Sequence, residues 1–169
     1  MRKLISIVAT ILVMTGCASS GESGFSSQDI NFAEQMIPHH QQALEMSDFA
    51  LANSSNPEIL ALAEQIMGAQ DPEIKLMSGW PGVDPTTHAG HAMSGMLSED
   101  EMNELEQARG SEFDQLFLIR MSKHHRGAID MARMVIDSEN KEVSDLARAI
   151  IEAQENEIEI MSSLLEDSK

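Results

Sequence analysis

The amino-acid sequence predicts an all-α protein, a four-helix bundle built from one helical hairpin that occurs twice. Aromatic residues make up 4% of the chain and Tyr is absent, whereas β-strands favour aromatic and β-branched residues. Apolar residues recur with a period near 3.6, the period of an amphipathic helix. A set of residues also reappears at a fixed spacing, which indicates an internal repeat. The 169 residues suffice for one domain with its own core.

The repeat consists of two matched segments in each copy. The first recurs with an offset of 85 residues, and its pairs are Phe32/Phe117, Met36/Met121, His39/His124, His40/His125, Ala43/Ala128 and Met46/Met131. The second recurs with an offset of 84 residues, and its pairs include Asn56/Asn140, Leu62/Leu146, Ile66/Ile150, Gln70/Gln154, Glu73/Glu157 and Met77/Met161. One residue is therefore missing from the turn of the second copy.

Repeat one covers residues 29–77, and its sequence predicts two helices joined by a short turn. The first helix is predicted from Asp29 to Ala52, with Pro38 inside it, where proline lacks a backbone donor and favours a kink. The turn is followed by Pro57, which suits the first position of a helix. The two helices are therefore expected to run antiparallel.

Residues 78–110 are predicted to link the repeats within a domain that spans residues 28–169. In this linker, Ser98 and Glu101 have the spacing of a capping box, which predicts a short helix ending near Gly110. Repeat two covers residues 111–165. Its predicted helices are Glu112–Asp137 and Lys141–Leu165.

The amino terminus has the pattern of a signal peptide over residues 1–16. Two basic residues precede an apolar run over residues 4–14, which is too short to span a bilayer. Small residues then precede Cys17 and resemble a bacterial lipobox, in which the Cys is lipidated after cleavage. An ordinary secreted protein and a buried free Cys17 remain alternatives.

The lipobox predicts an extracytoplasmic protein that is anchored to a bacterial membrane by its lipid. Residues 17–27 would form a flexible tether. In an organism with an outer membrane, Ala18 after the Cys directs the protein to the periplasmic face of that membrane. The membrane is therefore a predicted partner.

Charge and cysteine content exclude several classes of function. The chain has 11 Lys and Arg against 28 Asp and Glu, for a formal charge of −17, which would repel the phosphates of a nucleic acid. A single Cys excludes an intrachain disulfide and a Cys-based zinc site. The sequence contains no nucleophile–base arrangement and no Gly-rich phosphate loop, so it predicts no catalytic residue.

The repeated pairs His39-His40 and His124-His125 predict a metal site. Met36 and Met121 each lie four residues before the second His of a pair, close enough on a helix to share one ion. If the two halves pack about a pseudo-two-fold axis, the His pairs meet in or near the core. Imidazole and thioether together suit copper, as Cu⁺ or Cu²⁺, better than iron or zinc.

Two further groups of residues are candidate ligands. Glu73 and Glu157 occupy matching positions in the second helix of each repeat, either as ligands or as carboxylates that neutralise the His residues. The linker brings two His and two Met together within a predicted flexible ribbon, at His88, His91, Met93 and Met96. Met46 and Met131 are open to both interpretations, because Met on the inner face of a helix commonly fills the core.

These residues and motifs resemble the domain of unknown function 305 family, over about residues 29–164. The resemblance implies a bacterial exported protein with a ferritin-like helical bundle and, for some members, a role in copper binding or copper tolerance. The ligands implied by the matching motif are Met36, His39, His40, Met46, Met121, His124, His125 and Met131. The halves differ at Ser122-Lys123, where the first has Ile37-Pro38, which places a cation beside His124.

The sequence is compatible with three alternative functions. The first is a lipoprotein that binds or sequesters copper outside the cytoplasm. The second is a ferritin-like dinuclear-metal oxidase, although neither His pair has the Glu three residues before it that di-iron bundles use. The third is a metal-free helical module for interaction with other proteins.

Overall fold

The protein is all-α, as the sequence predicts. In a computed structural model, residues 24–88, 90 and 93–167 are described, and these contain helices and turns but no strand. The helices are α1 (Ser27–Asn53), α2 (Pro57–Ser78), α3 (Glu99–Gln107), α4 (Gly110–Arg133) and α5 (Lys141–Asp167). The predicted signal peptide, Cys17, most of the tether and His91 lie outside the described residues. No helix in the described part of the chain is long and apolar enough to cross a membrane.

Capping residues define where three of the helices begin. At the start of α1, Ser26 and Asp29 form a capping box, with the Asp29 amide donating to Ser26 Oγ at 3.1 Å. Asn56 caps α2, which has Pro57 at its first position as predicted. Ser98 and Glu101 form the predicted capping box of α3. These caps satisfy amide groups that have no partner inside the helix.

The first described residues pack against the rest of the protein. The ring of Phe25 lies 5.0 Å from that of Trp80, measured between centroids. The Gly24 carbonyl accepts a hydrogen bond of 2.9 Å from Asn140 Nδ2. Helix α1 then begins at Ser27, two residues before the predicted start, and runs unbroken through Pro38.

Helix α4 is shorter than the predicted Glu112–Asp137. It ends at Arg133, and the next turn tightens, with the amides of Met134 and Val135 bonded to carbonyls three residues earlier. The carbonyls released at this end find other partners: the Met134 carbonyl accepts from Gln28 Nε2 at 2.6 Å. Such short-range bonds and side-chain donors are usual at helix ends.

Two antiparallel hairpins, α1–α2 and α4–α5, meet through α1 and α4, and α3 packs against both of these central helices. The buried apolar side chains form two clusters. The first apolar cluster includes Ala43, Met46, Ile59, Ile66, Phe113, Phe117, Met121 and Met161. The second apolar cluster includes Phe32, Met36, Met77, Trp80, Ala128, Met131, Val143 and Ile150.

Candidate metal centre

A layer of buried polar side chains separates the two apolar clusters. Along each long helix, these residues fall between the stretch that joins one cluster and the stretch that joins the other. We call this set the polar layer; its members are His39, His40, Gln70, Glu73, His124, His125, Gln154 and Glu157. The four His side chains are wholly buried, and Glu73 is the most exposed member, with 17% of its side chain accessible. The duplication thus supplies one His-His pair and one Gln-x-x-Glu pair from each hairpin.

The two His pairs meet where α1 crosses α4. The ring centroids of His39 and His124 are 3.8 Å apart, with the ring planes inclined by 37°. This contact is the one that pseudo-symmetric packing of the halves predicts. Equivalent residues of the two repeats therefore face each other at the centre of the protein.

Each second His of a pair contacts a carboxylate from the other helix of its own hairpin. His40 Nε2 lies 2.8 Å from Glu73 Oε2, and His125 Nε2 lies 2.7 Å from Glu157 Oε2. The other Glu157 oxygen accepts a hydrogen bond of 3.0 Å from Gln65 Nε2, which ties α2 to α5. The two His–Glu pairs match in sequence, but the Glu157 pair is more deeply buried.

Several polar atoms of the layer have no hydrogen-bond partner among the described residues. They are Nδ1 of His39, His40 and His125, both ring nitrogens of His124, both amide atoms of Gln70, and Oε1 of Gln154. Buried polar groups are almost always paired in proteins, and each unpaired one costs about 1–3 kcal/mol. This density of free nitrogen and oxygen atoms fits a site that receives a ligand.

The electrostatics of the layer keep three imidazoles neutral. Burial and, to a lesser degree, the neighbouring His40 lower the pKa of His39 to about 3. Burial and the contact with His39 lower the pKa of His124. Burial lowers the pKa of His125 as well, although Glu157 opposes this shift. Neutral imidazole is the form that binds metals.

The four helical Met candidates are buried in the apolar clusters. Met36 and Met131 belong to the second apolar cluster, and Met46 and Met121 to the first. Met36 and Met121 each lie one helical turn before His40 and His125, so they border the polar layer from opposite sides. The packing of Met46 and Met131 fits the core-filling interpretation.

Residues 93–97 of the linker form a turn that we call the strap. The Ser94 carbonyl lies 3.0 Å from His39 Nε2. Gln42 holds the other end, donating from Nε2 to the Leu97 carbonyl at 3.1 Å and accepting from the Leu97 amide at 2.8 Å. The predicted flexible ribbon is thus, over the strap, a packed segment, in which Met93 contacts the second apolar cluster.

Two glycines permit the strap to lie directly on α4. Gly95 has a φ of +82°, and a Cβ there would come within 2.8 Å of the Lys123 carbonyl oxygen. A Cβ on Gly127 would lie 1.9 Å from the Ser94 carbonyl oxygen. Both positions therefore require glycine, one for its backbone conformation and for space, the other for space alone.

Comparison with known proteins identifies the relatives of this chain. The family described as Domain of unknown function (DUF305) matches residues 29–165. The chain belongs to the DUF305 family. No curated protein matches it.

Solved structures include several relatives of this DUF305 chain. A putative secreted DUF305 protein from Streptomyces coelicolor is 34% identical, with a TM-score of 0.76 over 84% of this chain and 94% of that one. A DUF305 fragment from Deinococcus radiodurans is 30% identical, with a TM-score of 0.75 over 84% and 97% of the two chains. CopM in its Cu(II)-bound form is 32% identical, with a TM-score of 0.72 over 83% and 97%. CopM has also been solved with Cu(I) and with Ag bound.

The candidate ligands of this DUF305 chain do not all come together. Within residues 24–88, 90 and 93–167, no group of three or more His, Cys, Asp or Glu side chains is placed to hold a single ion. The polar layer unites His39, His40, Glu73, His124, His125 and Glu157. Met93 and Met96 lie in the strap, and His88 precedes it on the linker.

Four residues of the site were not among the predicted site residues. Gln70 and Gln154 lie in the polar layer, and their match at the repeat offset was the available signal. Ser94 contributes a backbone carbonyl, for which its side chain gives no signal. Gln42 acts on a segment 55 residues away, a separation that no local pattern encodes.

Proposed function

We propose that this DUF305 protein binds copper in the polar layer and sequesters it outside the cytoplasm. The observation that carries the proposal is the close contact of the His39 and His124 rings, in a layer where five imidazole nitrogens have no hydrogen-bond partner among the described residues. A neutral imidazole has a lone pair on one of its two nitrogens, so each of the four buried rings can offer one unpaired nitrogen to a metal ion. CopM, a relative over most of the chain, has been solved with copper bound.

The donor types favour copper over harder metals. The residues that would hold it are the four His of the layer together with Met36 and Met121, whose side chains are wholly buried at its borders. Imidazole coordinates both Cu(I) and Cu(II), and a thioether favours Cu(I). Bound copper would be stored or handed on, since the layer is enclosed on both sides by apolar clusters.

The proposal includes a place for the protein in the cell. A lipid on Cys17 would anchor the folded domain to a bacterial membrane. Sequestration of copper there would contribute to copper tolerance of the cell. The secreted relative from Streptomyces coelicolor supports an extracytoplasmic location. We also propose that the four long helices form a bundle of the ferritin-like type, because two hairpins join through their first helices.

The test is a metal titration of the purified protein by calorimetry and native mass spectrometry. Cu(I), Cu(II), Zn(II) and Fe(II) are compared in a Cys17→Ser background, which removes the single thiol. One variant carries His39→Leu and His124→Leu, and the matched control carries His88→Ala, Met93→Ala and Met96→Ala in the linker. We expect copper to bind most tightly and to be lost in the His39/His124 variant alone.

Other outcomes would change the assignment. Loss of copper in the linker variant alone would place the site in the linker. Tight binding of Fe(II) by the polar layer would favour the dinuclear-metal oxidase. No binding of any metal would leave the helical interaction module.

A further inference from the structure

The hydrogen-bond contacts in the polar layer indicate which ring nitrogen of each His is available to a metal. An imidazole has two nitrogens, and in the neutral ring one donates a hydrogen bond while the other offers a lone pair. The group that contacts one nitrogen therefore decides what the other can do. Three of the four His residues have such a contact.

The contact of His39 is with a backbone carbonyl. Since the Ser94 oxygen can only accept, His39 Nε2 carries the hydrogen and donates over 3.0 Å. The lone pair of the neutral ring is then on Nδ1. That atom is buried and has no partner among the described residues.

The contacts of His40 and His125 are with carboxylates. A carboxylate oxygen accepts, so His40 Nε2 donates to Glu73 over 2.8 Å and His125 Nε2 donates to Glu157 over 2.7 Å. Their lone pairs are again on Nδ1. Both Nδ1 atoms are also buried without a partner among the described residues.

We infer that His39, His40 and His125 bind metal through Nδ1, and that Glu73, Glu157 and the Ser94 carbonyl are positioning groups rather than ligands. The three acceptors fix the tautomer and the orientation of each ring. A carboxylate behind an imidazole also strengthens the imidazole as a ligand. The inference rests on the proposed function and specifies its ligand atoms.

His124 differs from the other three in a way that the test can use. Neither of its ring nitrogens has a hydrogen-bond partner among the described residues. The His39 backbone lies near the ring, but no well-formed hydrogen bond to it or to another described residue holds one tautomer of His124. It serves as the internal reference for the three rings whose tautomer is fixed.

The experiment is ring ¹⁵N NMR of the labelled protein in the Cys17→Ser background, first without metal and then with Ag(I). Silver is a diamagnetic probe whose nuclei couple to a bound nitrogen. Without metal, we expect His39, His40 and His125 to show the Nε2–H tautomer and His124 a mixture of both. With silver, we expect coupling to Nδ1 of these three residues while Nε2 keeps its hydrogen.

Two results would overturn the inference in different ways. Coupling of silver to Nε2 of these rings would contradict the assignment but leave metal binding intact. No coupling to any ring nitrogen would overturn it together with the proposed function.

The role of the carboxylates is tested with Glu157→Gln and its control, Glu159→Gln, an exposed position on the same helix. For a positioning group, the loss in silver affinity is about 10–100-fold, and coupling to His125 Nδ1 persists at saturating silver. The control should bind like the parent protein. Loss of the His125 Nδ1 coupling at saturating silver in a folded Glu157→Gln variant would contradict a purely positioning role for Glu157.

Discussion

His124 is the His of the layer in which both ring nitrogens are unpaired among the described residues. It is wholly buried, and neither nitrogen has a hydrogen-bond partner in the described part of the chain. Such a residue destabilises the metal-free fold, because both nitrogens lose their hydration on burial. A residue kept at this cost is better explained by ligand binding than by packing.

Replacing His124 with Leu should therefore stabilise the metal-free protein. We expect His124→Leu to raise the free energy of unfolding by about 1–2 kcal/mol, the scale of an unsatisfied buried group. Urea unfolding in the presence of a chelator at neutral pH measures the change. The matched control is His125→Leu, which removes the hydrogen-bond partner of Glu157 and should lower the free energy of unfolding. A lower free energy of unfolding in both variants would contradict the view that His124 destabilises the metal-free fold.

The metal-free protein should also become less stable as the pH is lowered. His39, His124 and His125 have pKa values below 6.5 in the fold, whereas the unfolded chain has ordinary values. The unfolded state therefore binds more protons below pH 6.5, and the free energy of unfolding decreases as pH falls. For His39 the loss continues to about pH 3, at a limit of about 1.4 kcal/mol per pH unit for each His.

Urea unfolding at a series of pH values below neutrality checks this dependence. Carboxylates add to the slope at the acidic end, so His124→Leu is the informative comparison. It should reduce the slope by the equivalent of about half a proton near pH 6.5 and of about one proton a pH unit lower. An unchanged slope would mean that His124 does not titrate differently in the two states.

The sequence predicted the His residues of the layer better than their surroundings. The duplication identified both His pairs and both Glu, because matched residues at a fixed offset stand out in a single chain. It could not assign the ring nitrogens, because the deciding partner of His39 is a carbonyl 55 residues away. Gln70 and Gln154 were visible as a matched pair, but only packing shows that they are buried.

The strap depends on the absence of a side chain at Gly127. A methyl group there would lie 1.9 Å from the Ser94 carbonyl oxygen, and both atoms belong to backbone or Cβ positions that cannot rotate away. We expect Gly127→Ala to lift the strap from α4 and to break the hydrogen bond to His39. The expected loss of stability is about 1–3 kcal/mol, as for overpacking elsewhere.

Thermal unfolding and amide hydrogen exchange at Leu97 measure this effect. The control is Gly68→Ala on α2, where a Cβ meets nothing within 4 Å, and where Ala should stabilise the helix by up to about 1 kcal/mol. Faster exchange at Leu97 in Gly127→Ala alone is the expected result. Equal exchange in both variants would show that the strap does not depend on Gly127.

Helix starts were predicted more accurately than helix ends. Pro57 and the Ser98–Glu101 capping box are local signals, and the structure confirms both. The end of α4 at Arg133 was not predicted, because apolar periodicity continues to Val135 although the backbone has already tightened into a turn. The carbonyl partner there, Gln28, comes from another helix.

The net charge of the whole molecule opposes its compact state. A formal charge of −17 produces self-repulsion that salt screens over about 10 Å at 0.1 M. We expect the melting temperature to rise by several degrees between low and moderate NaCl concentrations. Calorimetry measures it, and the control is a variant carrying Glu64→Gln, Glu152→Gln and Glu159→Gln at exposed positions, which should respond less to salt. An equal response would attribute the effect to something other than charge.

The strap also records how far the two halves have diverged. Gln42 and Gly127 are equivalent positions of the repeat, at the same offset of 85 as the His pairs. Gln42 forms two hydrogen bonds with the backbone of Leu97 through its side-chain amide. Gly127, in contrast, leaves space for the Ser94 carbonyl because it has no side chain. A dimer of two identical hairpins would carry either Gln or Gly at both positions and could not hold a single strap in this way. The covering of His39 therefore requires two hairpins that differ in sequence at this position.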